Sequence, residues 1–164
     1  MKKERIRTTL LLLLLMVFGL SSCQKTETFK VLQFNIWQEG TVVEGGFEAL
    51  ADEIVRSNAD FVTLSEVRNY RNTRFCDRIV EALKKRGKTY YSFYTEDSGL
   101  LSRYPISDST TVYPLNDDRG SIYRLVSKKD GQEFAVYTAH LDYRNCAYYD
   151  VADTTEIPGR RKNR

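Results

Sequence analysis

The chain has 164 residues, of which 41% are hydrophobic, 29% charged and 12% aromatic. This balance is that of one ordinary globular domain, and it excludes collagen-like, low-complexity and coiled-coil proteins. The net charge of +3 comes entirely from residues 1–22, so the rest of the chain sums to zero and has no general attraction for nucleic acid. Any partner must therefore be bound by a local site.

The first 22 residues have the pattern of a secretory signal peptide. A basic stretch precedes the apolar run 10–20, which is shorter than the roughly 20 residues that a transmembrane helix needs. Leu20-Ser21-Ser22-Cys23 then resembles a bacterial lipobox, whose cysteine is lipidated and becomes the new N-terminus. The sequence therefore predicts a lipid-anchored protein of the bacterial cell envelope, periplasmic or surface-exposed, with an uncleaved anchor as the alternative.

The first half of the mature chain predicts alternating strands and helices. Residues 23–28 form a polar tether, and the folded domain is expected over 29–151. The predicted elements are a strand over 30–37, an amphipathic helix from Gly45-Gly46 to Asn58, a strand over 60–67 and a helix from about 75 to 86 that ends at Gly87. This alternating order of strands and helices is typical of the first part of an α/β domain.

The second half predicts an antiparallel meander of short strands. They cover 90–94, 99–102, 107–113, 121–128 and 132–141. Asp130-Gly131 indicates a hairpin, because a type I′ turn needs positive φ at both central residues. We therefore expect one domain with a mixed or mostly antiparallel sheet and helices covering a face.

Two cysteines remain in the mature domain besides Cys23. Export permits a disulfide between Cys76 and Cys146. Cys76, however, shares helical spacing with Ile79 and Leu83, which favours a small apolar residue on the buried face of a helix.

Polar side chains stand where the predicted strands end, and strand ends that converge on one edge of a sheet often bind ligands. They are Asn35, Glu66, Ser102-Arg103, and His140 with Asp142. His140 is the only histidine of the chain. Strand alternation places Asp142 on the same face, where it can orient the ring.

The ordered stretches FNIW, DFVTLSEV, GLLSRYPI and VYTAHLD resemble the endonuclease/exonuclease/phosphatase superfamily. That group includes deoxyribonucleases, apurinic-site endonucleases, sphingomyelinases and inositol polyphosphate phosphatases. The resemblance implies an α+β fold, a helix-flanked two-sheet sandwich. It also implies a divalent metal, usually Mg²⁺ with Mn²⁺ or Ca²⁺ as alternatives, at one edge of the sandwich.

The same resemblance implies roles for individual residues. Glu66 matches the family's metal-ligating acid, and Asn35 matches the amide that contacts metal-bound water or phosphate. His140 matches the histidine that hydrogen-bonds a phosphate oxygen. Arg103 is a weaker substrate candidate because it is as compatible with an architectural role. Apart from the resemblance, strand packing is the favoured interpretation of the aromatic residues; if any of them contacts substrate, we expect the group that begins with Tyr143, because it lies just beyond His140.

The family's later GDxN and SDH motifs do not occur in this sequence. We therefore expect the N-terminal part of such a domain, with residues 152–164 as an atypical tail that a frameshift, an early stop or a misassembled gene would explain. The expected activity is metal-dependent cleavage of a phosphodiester or phosphomonoester by water, impaired in this chain. A non-catalytic, lipid-anchored binding module and a defective fragment are the alternatives, and nucleic acid, phospholipid and sugar phosphate all remain possible substrates.

Overall fold

A computed structural model describes residues 27–115 and 120–141 of the chain. Its strands are β1 (Val31–Asn35), β2 (Phe61–Val67), β3 (Tyr91–Ser92), β4 (Asp97–Ser102), β5 (Ile106–Tyr113), β6 (Gly120–Lys129) and β7 (Gln132–Leu141). Its helices are α1 (Gly46–Ser57) and α2 (Phe75–Lys85). The predictions for Cys23, Asp142, Tyr143 and Cys146 concern residues outside the described ranges.

The strands form two sheets. The first has the order β1-β2-β4-β3, with β1 and β2 parallel and the other pairs antiparallel. The second is an antiparallel meander in the order β5-β6-β7. This arrangement confirms the predicted α+β class with two sheets and flanking helices.

The first sheet is covered on both faces, which explains why β2 and β4 are buried along almost their whole length. On one face lies the main core, to which α1 contributes Leu50 and Ile54 and α2 contributes Ile79 and Leu83. On the other face a smaller cluster, built on Phe61, Leu100 and Leu125, joins the two sheets. Helices, first sheet and second sheet therefore form three layers.

The residues that end the helices and form the hairpin turn have the positive φ angles that their types predict. Asn58 closes α1 with a φ of 51°, and Gly87 follows α2 with a φ of 75°. Asp130 and Gly131 have φ values of 50° and 82°, as the predicted type I′ turn requires. The expected strand over 90–94 is shorter and covers Tyr91–Ser92 only. The buried Tyr90 just before it donates its hydroxyl to the Ala59 carbonyl at 2.6 Å.

Within residues 27–115 and 120–141, the structure contains no helix long and apolar enough to cross a bilayer.

Cys76 is a free thiol on the buried face of α2, as its helical spacing predicts. Its side chain is 3% exposed, and its Sγ lies 3.6 Å from Thr95 Oγ1. Burial raises the pKa of this thiol to about 11. Cys76 therefore packs as a small apolar residue.

We expect Cys76 to resist alkylation in the folded protein. With a pKa of about 11, only about a thousandth of the thiol is ionised at pH 8, and only the thiolate reacts. Mass spectrometry of the Cys76 peptide after iodoacetamide treatment should show labelling in urea and almost none without it. Equal labelling rates would contradict the burial.

The raised pKa also predicts a pH dependence of stability. Between the ordinary value of 9.0 and about 11, the unfolded chain loses the thiol proton while the folded chain keeps it, so the free energy of unfolding falls as pH rises. Cys76→Ala is the control, because the thiol's contribution to this fall disappears in that variant.

Candidate active site

The end of β2 carries a bulge that redirects Glu66. In the ladder Ser65 pairs with Ser98 and Val67 pairs with Asp97, which leaves Glu66 without a partner. Glu66 has a φ of 70°, a left-handed conformation that is uncommon outside glycine. Bulges of this kind turn one side chain out of the alternation of the strand. The bulge therefore determines the direction of the Glu66 side chain.

Asn35, the last residue of β1, holds the Glu66 carboxylate in place. The Asn35 Nδ2 group donates to Glu66 Oε1 at 2.9 Å, and the Gln38 backbone N–H donates to Glu66 Oε2 at 3.0 Å. Asn35 Oδ1 in turn accepts from the Trp37 backbone N–H at 2.9 Å. Both carboxylate oxygens are thus oriented, and each retains a further lone pair.

His140 reaches the same end of the fold from the second sheet. Strand β7 lies against β2 and β4. Its His140 Nδ1 lies 2.9 Å from Oδ2 of Asp97, the first residue of β4. Because a carboxylate accepts, Nδ1 carries the ring proton and Nε2 remains for another partner. Asp97 also forms an ion pair with Arg68, two residues beyond Glu66.

Asp97 is a site residue that the sequence analysis missed. It has a φ of 63°, and its side chain is buried. The second sheet fixes its neighbours: Tyr123 Oη accepts from the Glu96 backbone N–H at 2.9 Å, and Ser121 Oγ lies 2.8 Å from Ser98 Oγ. The sequence predicts that this strand begins at Gly99, which leaves Asp97 in the connection before it. In the structure β4 begins at Asp97, and its antiparallel pairing with β2 places Asp97 beside the end of β2 that carries Glu66.

The structure does not bring Arg103, the weaker substrate candidate, to the end of the sheet that carries Glu66 and His140. Strand β4 runs antiparallel to β2, so Ser102 pairs with Phe61 at the start of β2. Arg103 therefore lies at the opposite end of the sandwich from Glu66, about five strand residues or roughly 17 Å away. It hydrogen-bonds Asn58 and lies 5.9 Å from the centre of the Tyr90 ring. These contacts agree with the architectural alternative, and substrate binding by Arg103 stays an untested prediction.

The site offers a divalent cation one oriented carboxylate, that of Glu66. Among the described residues, no group of three or more His, Cys, Asp or Glu side chains is placed to hold a metal. Mg²⁺ keeps several waters and is bound through one or two carboxylates. Glu66, oriented by Asn35, is the carboxylate of this site that would hold it.

Comparison with known proteins places the chain in a family. The model of the endonuclease/exonuclease/phosphatase family matches residues 32–160. The chain belongs to this family. No curated protein gives a significant match.

Two solved structures share the fold. One is TDP2 of D. rerio, complexed with a single-strand DNA product, with a TM-score of 0.54 and 17% identity over 79% of this chain and 56% of that chain. The other is ANGEL2, a 2',3'-cyclic phosphatase in complex with adenosine-2',3'-vanadate, with a TM-score of 0.50 and 17% identity over 70% of this chain and 42% of that chain. The chain thus spans about half the length of these relatives.

We expect the neutral His140 ring to carry its proton on Nδ1. Because His140 is the only histidine, its ring ¹⁵N signals are unambiguous in an NMR spectrum at alkaline pH. Asp97→Asn should shift the tautomer population towards Nε2–H, because an amide can donate to Nδ1. Glu96→Gln is the control and should leave the population unchanged. A wild-type ring protonated on Nε2 would contradict the assignment.

Proposed function

We propose that this domain binds a phosphate ester at the end of β2 and hydrolyses it with the help of a divalent cation. One observation carries the proposal. Asn35, Glu66 and Asp97 belong to the first sheet and His140 to the second, yet the Asn35–Glu66 and Asp97–His140 pairs lie at the same end of the fold. Arg68, two residues after Glu66, forms an ion pair with Asp97 there. Family membership supports the same class of reaction.

Each residue has a task that follows from its contacts. Glu66 would hold Mg²⁺, and the bound ion would supply Lewis acidity and a template for in-line attack by water on phosphorus. Asn35 keeps the Glu66 carboxylate in one orientation. His140, protonated, would donate from Nε2 to a phosphate oxygen, while the Asp97 carboxylate on Nδ1 offsets the charge of the ring.

The substrate is proposed only as a class. A phosphodiester or a phosphomonoester fits a site with one metal-binding acid and one histidine donor. The near-zero charge of residues 23–164 gives no preference for a nucleic acid over a phospholipid or a sugar phosphate. A lipid-anchored binding module without catalysis is the second candidate.

We expect Glu66→Gln to lower Mg²⁺-dependent hydrolysis by at least about 100-fold, because it removes the charge that binds the ion. Phosphate or nitrophenol release from a panel of model mono- and diesters measures the activity, and far-UV circular dichroism verifies the fold. Glu133→Gln, an exposed acid at the start of β7, is the matched control.

Full activity of Glu66→Gln would exclude the assigned role. Calorimetric binding of Mg²⁺ by the wild type without turnover of any ester would favour the binding module.

We also propose that the mature protein is anchored in the cell envelope through a lipid on Cys23. When the chain is produced in a bacterial host with labelled palmitate, the wild type should incorporate label and sediment with membranes. Cys23→Ala should lose both properties, whereas Cys146→Ala should keep them. A labelled Cys23→Ala protein would disprove the lipid attachment.

A further inference from the structure

The connection between β1 and α1 begins with a left-handed turn. Trp37, Gln38, Glu39 and Gly40 have successive φ values of 40°, 56°, 62° and 70°. Three of these residues are not glycine, and left-handed backbone is unfavourable for each of them. Such a conformation persists only where its surroundings fix it, and it is concentrated at functional sites. Some interaction must therefore hold this turn.

The Glu39 carboxylate supplies that interaction. Its side chain is 1% exposed. Oε1 accepts from the backbone N–H groups of Arg68, at 3.0 Å, and of Asn69, at 2.6 Å. Oε2 forms an ion pair with the guanidinium of Arg78 on α2. A carboxylate at this depth is costly unless it is paired and hydrogen-bonded, and Glu39 satisfies both conditions.

Arg78 is itself held in place. Its guanidinium carbon lies 5.6 Å from the centre of the Phe47 ring and 5.4 Å from the centre of the Phe75 ring. These rings belong to α1 and α2, respectively. Glu39 is thus tied to both helices as well as to the segment that follows β2.

The segments that Glu39 holds lie on either side of Glu66. Before Glu39, the Gln38 N–H donates to Glu66 Oε2 and the Trp37 N–H donates to Asn35 Oδ1. After Glu66, the backbone of Arg68 and Asn69 is bound directly by the Glu39 carboxylate. The buried Glu39 side chain therefore fixes two segments: the turn whose N–H groups donate to Glu66 and Asn35, and the backbone that follows Glu66.

We propose that Glu39 is a positioning residue for Glu66 and Asn35. It does not touch the substrate or the ion. It keeps the left-handed turn closed, so that the Gln38 and Trp37 N–H groups hold the two site residues in the orientation that binds a divalent cation. The part of this inference that concerns the cation rests on the proposed function.

Trp37 makes the inference testable without turnover. It is the only tryptophan of the chain, and its side chain is 58% exposed. Because it belongs to the turn, its fluorescence emission and its quenching by acrylamide report the conformation of the turn directly. Hydrogen exchange at the Gln38 amide reports the bond to Glu66.

The decisive variant is Glu39→Gln, which keeps an oxygen acceptor but removes the charge that faces Arg78. The matched control is Glu48→Gln, because Glu48 also joins α1 to an arginine after α2, Arg86, but is 65% exposed and does not contact the turn. Metal-free protein well below its unfolding temperature is measured first, and calorimetric titration with MgCl₂ follows.

In Glu39→Gln we expect altered Trp37 quenching, faster exchange at Gln38 and about a ten-fold higher Kd for Mg²⁺, with unchanged far-UV circular dichroism. Glu48→Gln should match the wild type in all three measurements. Wild-type quenching, exchange and Kd in folded Glu39→Gln would overturn the inference, because Glu39 would then serve the fold alone.

Arg78→Lys covers the case in which Glu39→Gln does not fold. It keeps the charge and both backbone hydrogen bonds of Glu39 but loses the planar fork of the guanidinium. Smaller changes in the same direction would support the inference, and wild-type values would refute it. If the wild type binds no Mg²⁺, the proposed function fails, whereas the Trp37 and Gln38 measurements still decide whether Glu39 holds the turn.

Discussion

The antiparallel pairing of β2 with β4 is the constraint on which the candidate site depends. It places the start of β4 beside the end of β2, so that Asp97 lies next to the bulged Glu66 although the two are far apart in sequence. A regular ladder would have left Glu66 in the ordinary alternation of the strand. Because both strands are buried on both faces, this register cannot slip without exposing the core. The site is thus fixed by the most strongly specified part of the fold.

Polar contacts, and not only apolar packing, join the second sheet to the first. Near the site, Tyr123 and Ser121 of β6 bind the segment around Asp97. At the opposite end, Ser102 Oγ lies 2.9 Å from Ser127 Oγ. Between these ends the apolar cluster shared by the sheets is small. Hydrogen bonds are directional, so these contacts of β6 define how the second sheet lies over the first more sharply than apolar contacts could. Because β7 pairs with β6, they also define the position of His140 over β2.

The sequence predicts most of the fold and only part of the site. Elements with a strong apolar period, such as α2 and β7, were predicted to within one or two residues, and Glu66 and His140 follow from their positions at strand ends. The distance of Arg103 from Glu66 could not be predicted, because strand direction is not encoded locally. Asp97 was missed because its acid-rich surroundings resemble a turn. The left-handed φ of Glu66 has no sequence signal, since no glycine marks it.

The two halves of the site differ in how firmly the sheet supports them. Glu66 belongs to a strand that is paired on both sides, whereas Asn35 ends β1, which is paired only with β2 among the described strands. A groove of about 570 Å³ is lined by residues of β1, of the connection that follows it and of α1, among them Leu32 and Phe34, and it reaches Asn35 itself. Two hydrogen bonds orient the Asn35 side chain: its amide group donates to Glu66, and its oxygen accepts from the Trp37 N–H of the turn that follows. The orientation of Asn35 therefore depends on that turn as well as on the neighbouring strand, so the buried Glu39–Arg78 ion pair that holds the turn also supports Asn35.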